Sequence, residues 1–257
     1  MNPVLVEQLG RVAVLRLNRP EKRNAVSDAL IEALESFFGA PPKDVKAVVI
    51  TGQGGHFCAG LDLSQHKERD AYGVVQHSRW YHRVVERIEF GGLPVVTAMQ
   101  GAVIGGGLEI AMGAHVRVAD TTAFYQLPEG RRGIYVGGGA SVRVARVIGG
   151  DRMREMMLTG RRYDAEDGLR LGLSHYLVPE GQALDKAIEL AETVAGNAEL
   201  SNYMMIQALT RIQNMDEASG LFVESLAAGL AQTSPQAQEG LRAFLEKRTA
   251  NFGDKKE

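Results

Sequence analysis

The sequence predicts an α/β fold that closes with a purely helical C-terminal region. Three observations carry this. Apolar, β-branched runs are each followed by a glycine-bearing loop and then by a stretch of helical period. Of the 30 glycines, 13 cluster at 52–60, 101–107 and 130–139, beside those runs. From about residue 199 onward no strand signal remains. In layered α/β folds ligand sites collect at the carboxyl ends of strands, so the glycine loops are where function is expected.

Taken in order, Val4-Leu5-Val6 and Val12-Ala13-Val14-Leu15, joined at Gly10, predict a β-hairpin over 3–17. Asn18 to Asn24 reads as a polar turn. Val26, Leu30, Ala33, Leu34 and Phe37 recur at helical spacing with Ser27 placed to cap, which predicts a helix over 26–38. Pro41-Pro42 break it, and Val45–Thr51 is a buried strand. The loop Gly52–Asp62 follows, then a helix over 71–90, a strand over Pro94–Met99 and a helix over 107–113. Val116–Ala119 and the region near Phe124 read as further strand, and 141–148, 151–159, 164–171 and 183–196 as helices. The rest divides into helices over 199–215, 216–231 and 234–248. The expected organisation is therefore a core over 1–199 and a helical appendage over 200–257, whose exposed apolar faces call for a partner.

Composition narrows the function. At 45% apolar and 23% charged residues, the 257-residue chain is an ordinary globular protein with ample core. A net charge of −2 makes no electrostatic case for nucleic acid or an anionic membrane. Cys58 is the only cysteine, which excludes intrachain disulfides and four-cysteine zinc sites and suits a reducing, cytoplasmic setting. The start of the chain lacks a basic region leading into an apolar core, and no apolar run reaches membrane-spanning length. Walker A, G-x-S-x-G and H-E-x-x-H patterns are absent. No metal or bound cofactor is expected.

The chemistry concentrates in three loops. Gly105-Gly106-Gly107 run into the apolar helical segment Leu108-Glu109-Ile110-Ala111-Met112. A helix opening there turns unpaired N–H groups and a partial positive charge toward whatever lies ahead. Glu109 sits between apolar neighbours, so it is buried and paired or faces a site. The second loop is His56-Phe57-Cys58-Ala59-Gly60-Leu61-Asp62-Leu63, and the third Leu127-Pro128-Glu129-Gly130 with Gly133 and Gly137-Gly138-Gly139 beyond it. Alone, each has a structural explanation: an ordinary turn, helix-on-strand packing, a solvated loop carboxylate. Together they offer two backbone donors and two carboxylates. Two N–H groups on one carbonyl oxygen form an oxyanion hole, in which losing one donor costs about 10²–10³ in rate. Two carboxylates can share a water, one accepting its proton and the other giving a proton to carbon.

These motifs resemble the crotonase (enoyl-CoA hydratase/isomerase) superfamily. Phe57 to Leu63, Gln100 to Ala111 and Leu127 to Gly133 are similar to its F-x-A-G-x-D-x, G-x-x-x-G-G-G-x-E-x-A and L-P-E-x-x-x-G segments. Arg19-Pro20 to Asn24-Ala25, Leu158-Thr159-Gly160 with Ala165 and Gly168 to Ser174, and Glu239-Gly240 to Lys247-Arg248 match further segments in order. The resemblance spans nearly the whole chain. It implies a spiral of ββα units with a helical C-terminal region, assembled as a homotrimer or a dimer of trimers, in fatty acid metabolism. It implies an acyl-CoA thioester substrate, with Ala59 and Gly106 as the oxyanion hole and Glu109 and Glu129 as catalytic carboxylates. Lys22, Arg23, Ala25, Ala59, Asp62 and Leu63 would bind CoA, with Phe244 and Lys247 reaching a neighbour's site. Trp80, Tyr81, Gln126, Tyr135 and Val136 would shape a short or aromatic acyl pocket.

The reaction so implied is addition of water across the 2,3 double bond of a short-chain or aryl 2-enoyl-CoA. Thioester hydrolysis, cleavage after hydration and double-bond isomerisation are the alternatives on the same site. A non-enzymatic CoA- or RNA-binding relative would need neither glutamate. The run Leu127 to Gly139 is similar to a subgroup that includes a methylthioacryloyl-CoA hydratase. The chain departs from the family in having Val136 where proline is common, Ala114-His115 where a Cys/Ser-Asp pair is common, and no acid within Gly133–Gly139. His115 is expected to be a packed or capping residue rather than a catalytic one.

Overall fold

Strands β1 (Val4–Leu9) and β2 (Val12–Leu17) pair antiparallel, with Leu9 opposite Val12 across a tight turn. The computed structural model describes residues 2–65 and 68–252. Beyond the hairpin, β3 (Ala47–Gly52), β4 (Val95–Met99), β6 (Val116–Asp120) and β8 (Tyr176–Val178) add in parallel, giving the order β1-β2-β3-β4-β6-β8. A second small sheet pairs β5 (Ala102–Ile104) with β7 (Phe124–Gln126), also in parallel.

Both faces of the inner strands β2, β3 and β4 are buried, which is why these strands read as nearly continuous apolar runs, whereas the edge strand β1 is largely exposed. β2 sends Ala13, Leu15 and Leu17 to one side and Val12 and Val14 to the other, and β3 divides Val48 and Ile50 from Ala47 and Val49. The first side is packed by α1 (Asp28–Gly39), α2 (Ala71–Phe90), α3 (Gly106–Gly113) and α4 (Ala140–Ile148). Each fully buried Leu or Ile there contributes roughly 1.5–3 kcal/mol. The second side is covered by α7 (Ala183–Ala195), after α5 (Gly150–Thr159) and α6 (Ala165–Leu171). In α7 Ala183, Ala187, Ala191 and Ala195 fall on one face, a small-residue stripe that lets the helix lie close to the strands.

The Ser27 cap falls where the sequence predicts it, and Asp70 supplies a second that was not foreseen. Ser27 Oγ accepts the Leu30 N–H at 3.2 Å to open α1, and Asp70 Oδ1 accepts the Gly73 N–H at 2.7 Å to open α2. Such caps contribute about 1 kcal/mol each. The C-terminal region is helical as expected, but its first helix is interrupted. α8 (Glu199–Met204) passes through a π-helical turn, Met205–Leu209, into α9 (Thr210–Ile212). Gln207 in that turn donates from Nε2 to the Phe90 carbonyl at 2.6 Å, tying the region to the end of α2. α10 (Glu217–Gln232) and α11 (Pro235–Leu245) follow, leaving Leu221, Phe222, Leu226, Leu230, Leu241, Phe244 and Leu245 exposed. Among the described residues no helix is long and apolar enough to cross a membrane. The short strands β5 and β8 were not foreseen, because three residues carry no readable periodicity.

Candidate active site

The loop after β3 is held between two partners. Phe57 and Cys58 donate their N–H groups to the carbonyls of Gln100 (2.7 Å) and Ala102 (2.9 Å), and Ile104 donates to the Cys58 carbonyl (3.0 Å). This lays the loop alongside β5. Two residues further on the chain bridges to Val26, whose N–H donates to the Gly60 carbonyl while its own carbonyl accepts from Asp62, both at 2.8 Å. Backbone groups of an extended chain alternate in direction, so turning Gly60 and Asp62 toward Val26 turns the Leu61 N–H the other way. Among the described residues that N–H has no acceptor.

Facing it is the start of α3. Gly106 is the first residue of the helix, so its N–H has no partner inside the helix. A Cβ placed on Gly106 would stand 3.7 Å from the Leu61 nitrogen. Tyr81 holds this turn by donating its buried hydroxyl to the Gly106 carbonyl at 2.7 Å. Burial, and then the nearby Glu109 carboxylate, push that hydroxyl's pKa well above its ordinary value. The Ala59 N–H, expected beside Gly106, instead donates to the Arg23 carbonyl at 3.0 Å. The donor facing Gly106 is thus Leu61, displaced by the two-residue period of the extended loop.

The two carboxylates are held differently. Glu109 is buried in the first turn of α3, where its Oε1 accepts the N–H groups of Gly138 (2.7 Å) and Ala140 (3.1 Å). Burial raises its pKa, and those two bonds with the Arg143 charge oppose the rise. The approach needs glycine: a Cβ on Gly138 would come 2.6 Å from Glu109 Oε2. Glu129 is also buried, at the start of a short 3₁₀ turn, Glu129–Arg132. Its Oε2 has no hydrogen-bond partner among the described residues. Desolvation, with a smaller push from Glu109, raises its pKa to about 7. Gly105 makes room for it, since a Cβ there would lie 2.9 Å from Glu129 Oε1.

Glu109, Glu129, Leu61 and Gly106 all line one cavity of about 430 Å³. Of the expected acyl-pocket residues, Tyr81, Tyr135 and Val136 line it. Trp80 is turned away and donates from Nε1 to Glu35 Oε2 at 2.9 Å. Gln126 is turned away as well, donating from Nε2 to the Gly160 carbonyl at 2.6 Å, while its own carbonyl accepts the Gly105 N–H. Among the expected CoA residues, Ala59, Asp62 and Leu63 line the cavity. Asp62 is engaged by Arg19 (2.7 Å) and by the Ser64 hydroxyl (2.6 Å), which hold its pKa below the usual carboxylate range. Lys22 and Arg23 are exposed on the preceding turn, Ala25 is buried, and Phe244 is 79% exposed on α11 with Lys247 just beyond its end. His77 and Asp28 also line the cavity and were not anticipated. The capping serine before Asp28 marks only where α1 begins, so neither His77 nor Asp28 carried a local signal.

His115 is structural. Its Nδ1 accepts the Val95 N–H at 2.9 Å, which places the ring hydrogen on Nε2, 3.0 Å from the Glu89 carbonyl. Burial lowers its pKa. No group of His, Cys, Asp and Glu that could hold a metal ion occurs among the described residues.

Comparison with known proteins places the chain in a family. Residues 7–255 match the family model described as enoyl-CoA hydratase/isomerase. An enoyl-CoA hydratase of Mycobacterium tuberculosis is 31% identical over 96% of this chain and 95% of its own length. A short-chain-enoyl-CoA hydratase of Clostridium acetobutylicum is 32% identical over 96% of each. A crystal structure from Rhodopseudomonas palustris, provisionally described as an enoyl-CoA hydratase, is 50% identical, superposes with a TM-score of 0.93 and covers 95% of each chain. The enoyl-CoA hydratase of Bacillus anthracis superposes with a TM-score of 0.91 at 31% identity, covering 97% of this chain and 98% of its own. With its loops, carboxylates and full-length similarity all in agreement, the chain belongs to the enoyl-CoA hydratase/isomerase family of the crotonase superfamily, whose members are enzymes acting on acyl-CoA thioesters.

Proposed function

We propose that the protein hydrates a short-chain or aryl 2-enoyl-CoA. The supporting observation is the pair of unlike buried carboxylates in one cavity, beside two unpaired backbone N–H groups. The Leu61 and Gly106 amides bind the thioester oxygen and stabilise the negative charge that gathers there as the double bond is attacked. Glu109, whose backbone donors favour the ionised form, orients a water and takes its proton as the oxygen bonds to C3. The electron pair of the double bond moves toward the thioester oxygen. Glu129, kept protonated by its unpartnered burial, gives its proton to C2. The product is the 3-hydroxyacyl-CoA, and solvent exchange returns the carboxylates to their starting forms.

The nucleotide end of CoA is assigned to Lys22, Arg23, Ala25, Asp62 and Leu63. Phe244 and Lys247 reach it from a second copy in a trimer or dimer of trimers built through residues 200–257. The exposed apolar residues of α10 and α11 support that assembly. The subgroup that includes a methylthioacryloyl-CoA hydratase defines one candidate acyl group.

The test is a panel of enoyl-CoA esters graded in length and aromaticity. Absorbance of the conjugated thioester and product mass are both followed. Loss of absorbance with a gain of one water is the expected result. Release of free CoA, detected with a thiol reagent, or a migrated double bond without added water would replace hydration by hydrolysis or isomerisation. Shortening of the acyl product would identify cleavage.

A further inference from the structure

We propose that His77 determines acyl specificity, selecting enoyl-CoA substrates that carry a hydroxyl at the far end of the acyl group. This deepens the hydratase reading above and rests on it. α2 presents Val74, His77, Ser78 and Tyr81 to the cavity, the spacing of one helix face. The two hydroxyls on that face are already used. Tyr81 donates to the Gly106 carbonyl, and Ser78 Oγ donates to the Gly137 carbonyl at 2.7 Å. The imidazole of His77 is the polar group still open to a ligand.

Its state is set by its neighbours. His77 Nε2 lies 2.8 Å from Asp28 Oδ1. An ionised carboxylate only accepts, so Nε2 carries a hydrogen, and in the neutral imidazole Nδ1 is the acceptor. Nδ1 has no partner among the described residues. The ring is held in place on its other side, edge-on to Trp80 with centroids 5.5 Å apart and planes at 62°. Trp80 is itself pinned by Glu35. Asp28 also pairs with Arg69, 3.3 Å away. The cavity lining includes the apolar side chains of Val26, Val74, Ile134 and Val136 as well as the polar ones of Gln65, Arg69 and Arg132. An acceptor held in place on that lining fits a hydrogen-bond donor on the acyl group, and a hydroxyl is the uncharged one an acyl chain carries.

Discrimination follows from desolvation. An acyl group without a hydroxyl covers Nδ1 and leaves it unpaired, whereas a hydroxyl replaces the water it loses. Sites that hydrogen-bond a substrate hydroxyl reject the analogue lacking it far more strongly than apolar pockets reject an added group.

The experiment compares matched substrates, a medium-chain 2-enoyl-CoA and cinnamoyl-CoA, each with and without a terminal hydroxyl. Crotonyl-CoA, which has no distal group, serves as the internal control. The wild type is expected to favour at least one hydroxylated partner by about tenfold or more in kcat/KM. His77→Phe, which keeps a ring against Trp80, is expected to lose that preference and hold crotonyl-CoA turnover within about threefold. His77→Gln, which restores an acceptor, is expected to recover part of it. Equal kcat/KM for both members of every pair in the wild type overturns the proposal. So does a preference that survives in His77→Phe. If crotonyl-CoA and all the others are left unhydrated, the hydratase reading itself fails and takes this proposal with it.

Discussion

Glu109 and Glu129 are the same residue type, both buried, in one cavity, yet the fold treats them in opposite ways. Glu109 receives two backbone N–H groups at its Oε1, while Glu129 keeps an oxygen with no partner. Two backbone donors from another segment restrain the rise in pKa that burial causes at Glu109, whereas at Glu129 desolvation outweighs the one opposing bond from its own backbone and the pKa runs to about 7. In the mechanism proposed above, this difference in surroundings supplies a base and an acid from one side-chain type. The difference also locates the cost. The donors on Glu109 come from the turn at Gly138–Ala140, so the base depends on a segment about thirty residues away in the chain.

The sharpest way to break this division is to neutralise each carboxylate in turn. Glu109→Gln and Glu129→Gln are each expected to lower kcat on crotonyl-CoA by about 10²–10⁴. Binding of the thioester, measured by calorimetry with an unreactive saturated acyl-CoA, should change little. A variant that keeps full activity would remove its residue from the mechanism.

A smaller expected loss separates the two environments without touching either carboxylate. Gly138→Ala drives a Cβ into Glu109 Oε2 and moves the base, for a loss of about 10² in kcat. The pH dependence assigned to Glu129 should remain in that variant. Tyr81→Phe comes next. It deletes the hydrogen bond that holds Gly106, with an expected cost of about 1 kcal/mol in denaturant unfolding and a few-fold drop in kcat. An unchanged kcat would mean that Gly106 is positioned by its other contacts alone.

The mildest test is titration. Glu129 holds its proton in the folded state up to about pH 7, whereas in the unfolded chain it loses it near the ordinary value of 4.5. Its raised pKa therefore contributes stability below 4.5, and that contribution is lost as pH climbs through about 7. Thermal unfolding across this range should show Glu129→Gln falling less with rising pH than the wild type. In the wild type kcat/KM should decline over the same alkaline limb, since the acid must be protonated. Parallel melting curves for the two proteins would remove the unpartnered environment given to Glu129.

Much of the site was legible in the sequence for local reasons. Glu109 stands between Leu108 and Ile110 beside three glycines, and Glu129 follows a proline within a second glycine cluster. Where the reading failed, it failed by one or two positions, and the period of the element explains why. Ala59 and Leu61 both lie on the same extended loop, but Ala59 is claimed by the Arg23 carbonyl and Leu61 is not. Trp80 and Tyr81 are adjacent on α2, roughly 100° apart around the helix, so one meets Glu35 and the other the cavity. Gln126 ends a strand whose partner across the turn is the Gly160 carbonyl, a contact that no local pattern announces.

By itself the sequence determined what is local or periodic: the alternation of strand and helix, the Ser27 cap, the glycine loops, the helical C-terminal region, and which two carboxylates sit among them. Tertiary structure decided which amide faces Gly106, which aromatic side chains reach the cavity, and which carboxylate is partnered. Those outcomes rest on contacts between segments far apart in the chain — Val26 with Gly60 and Asp62, Glu109 with Gly138 and Ala140 — and such contacts leave no trace in the spacing of neighbouring residues.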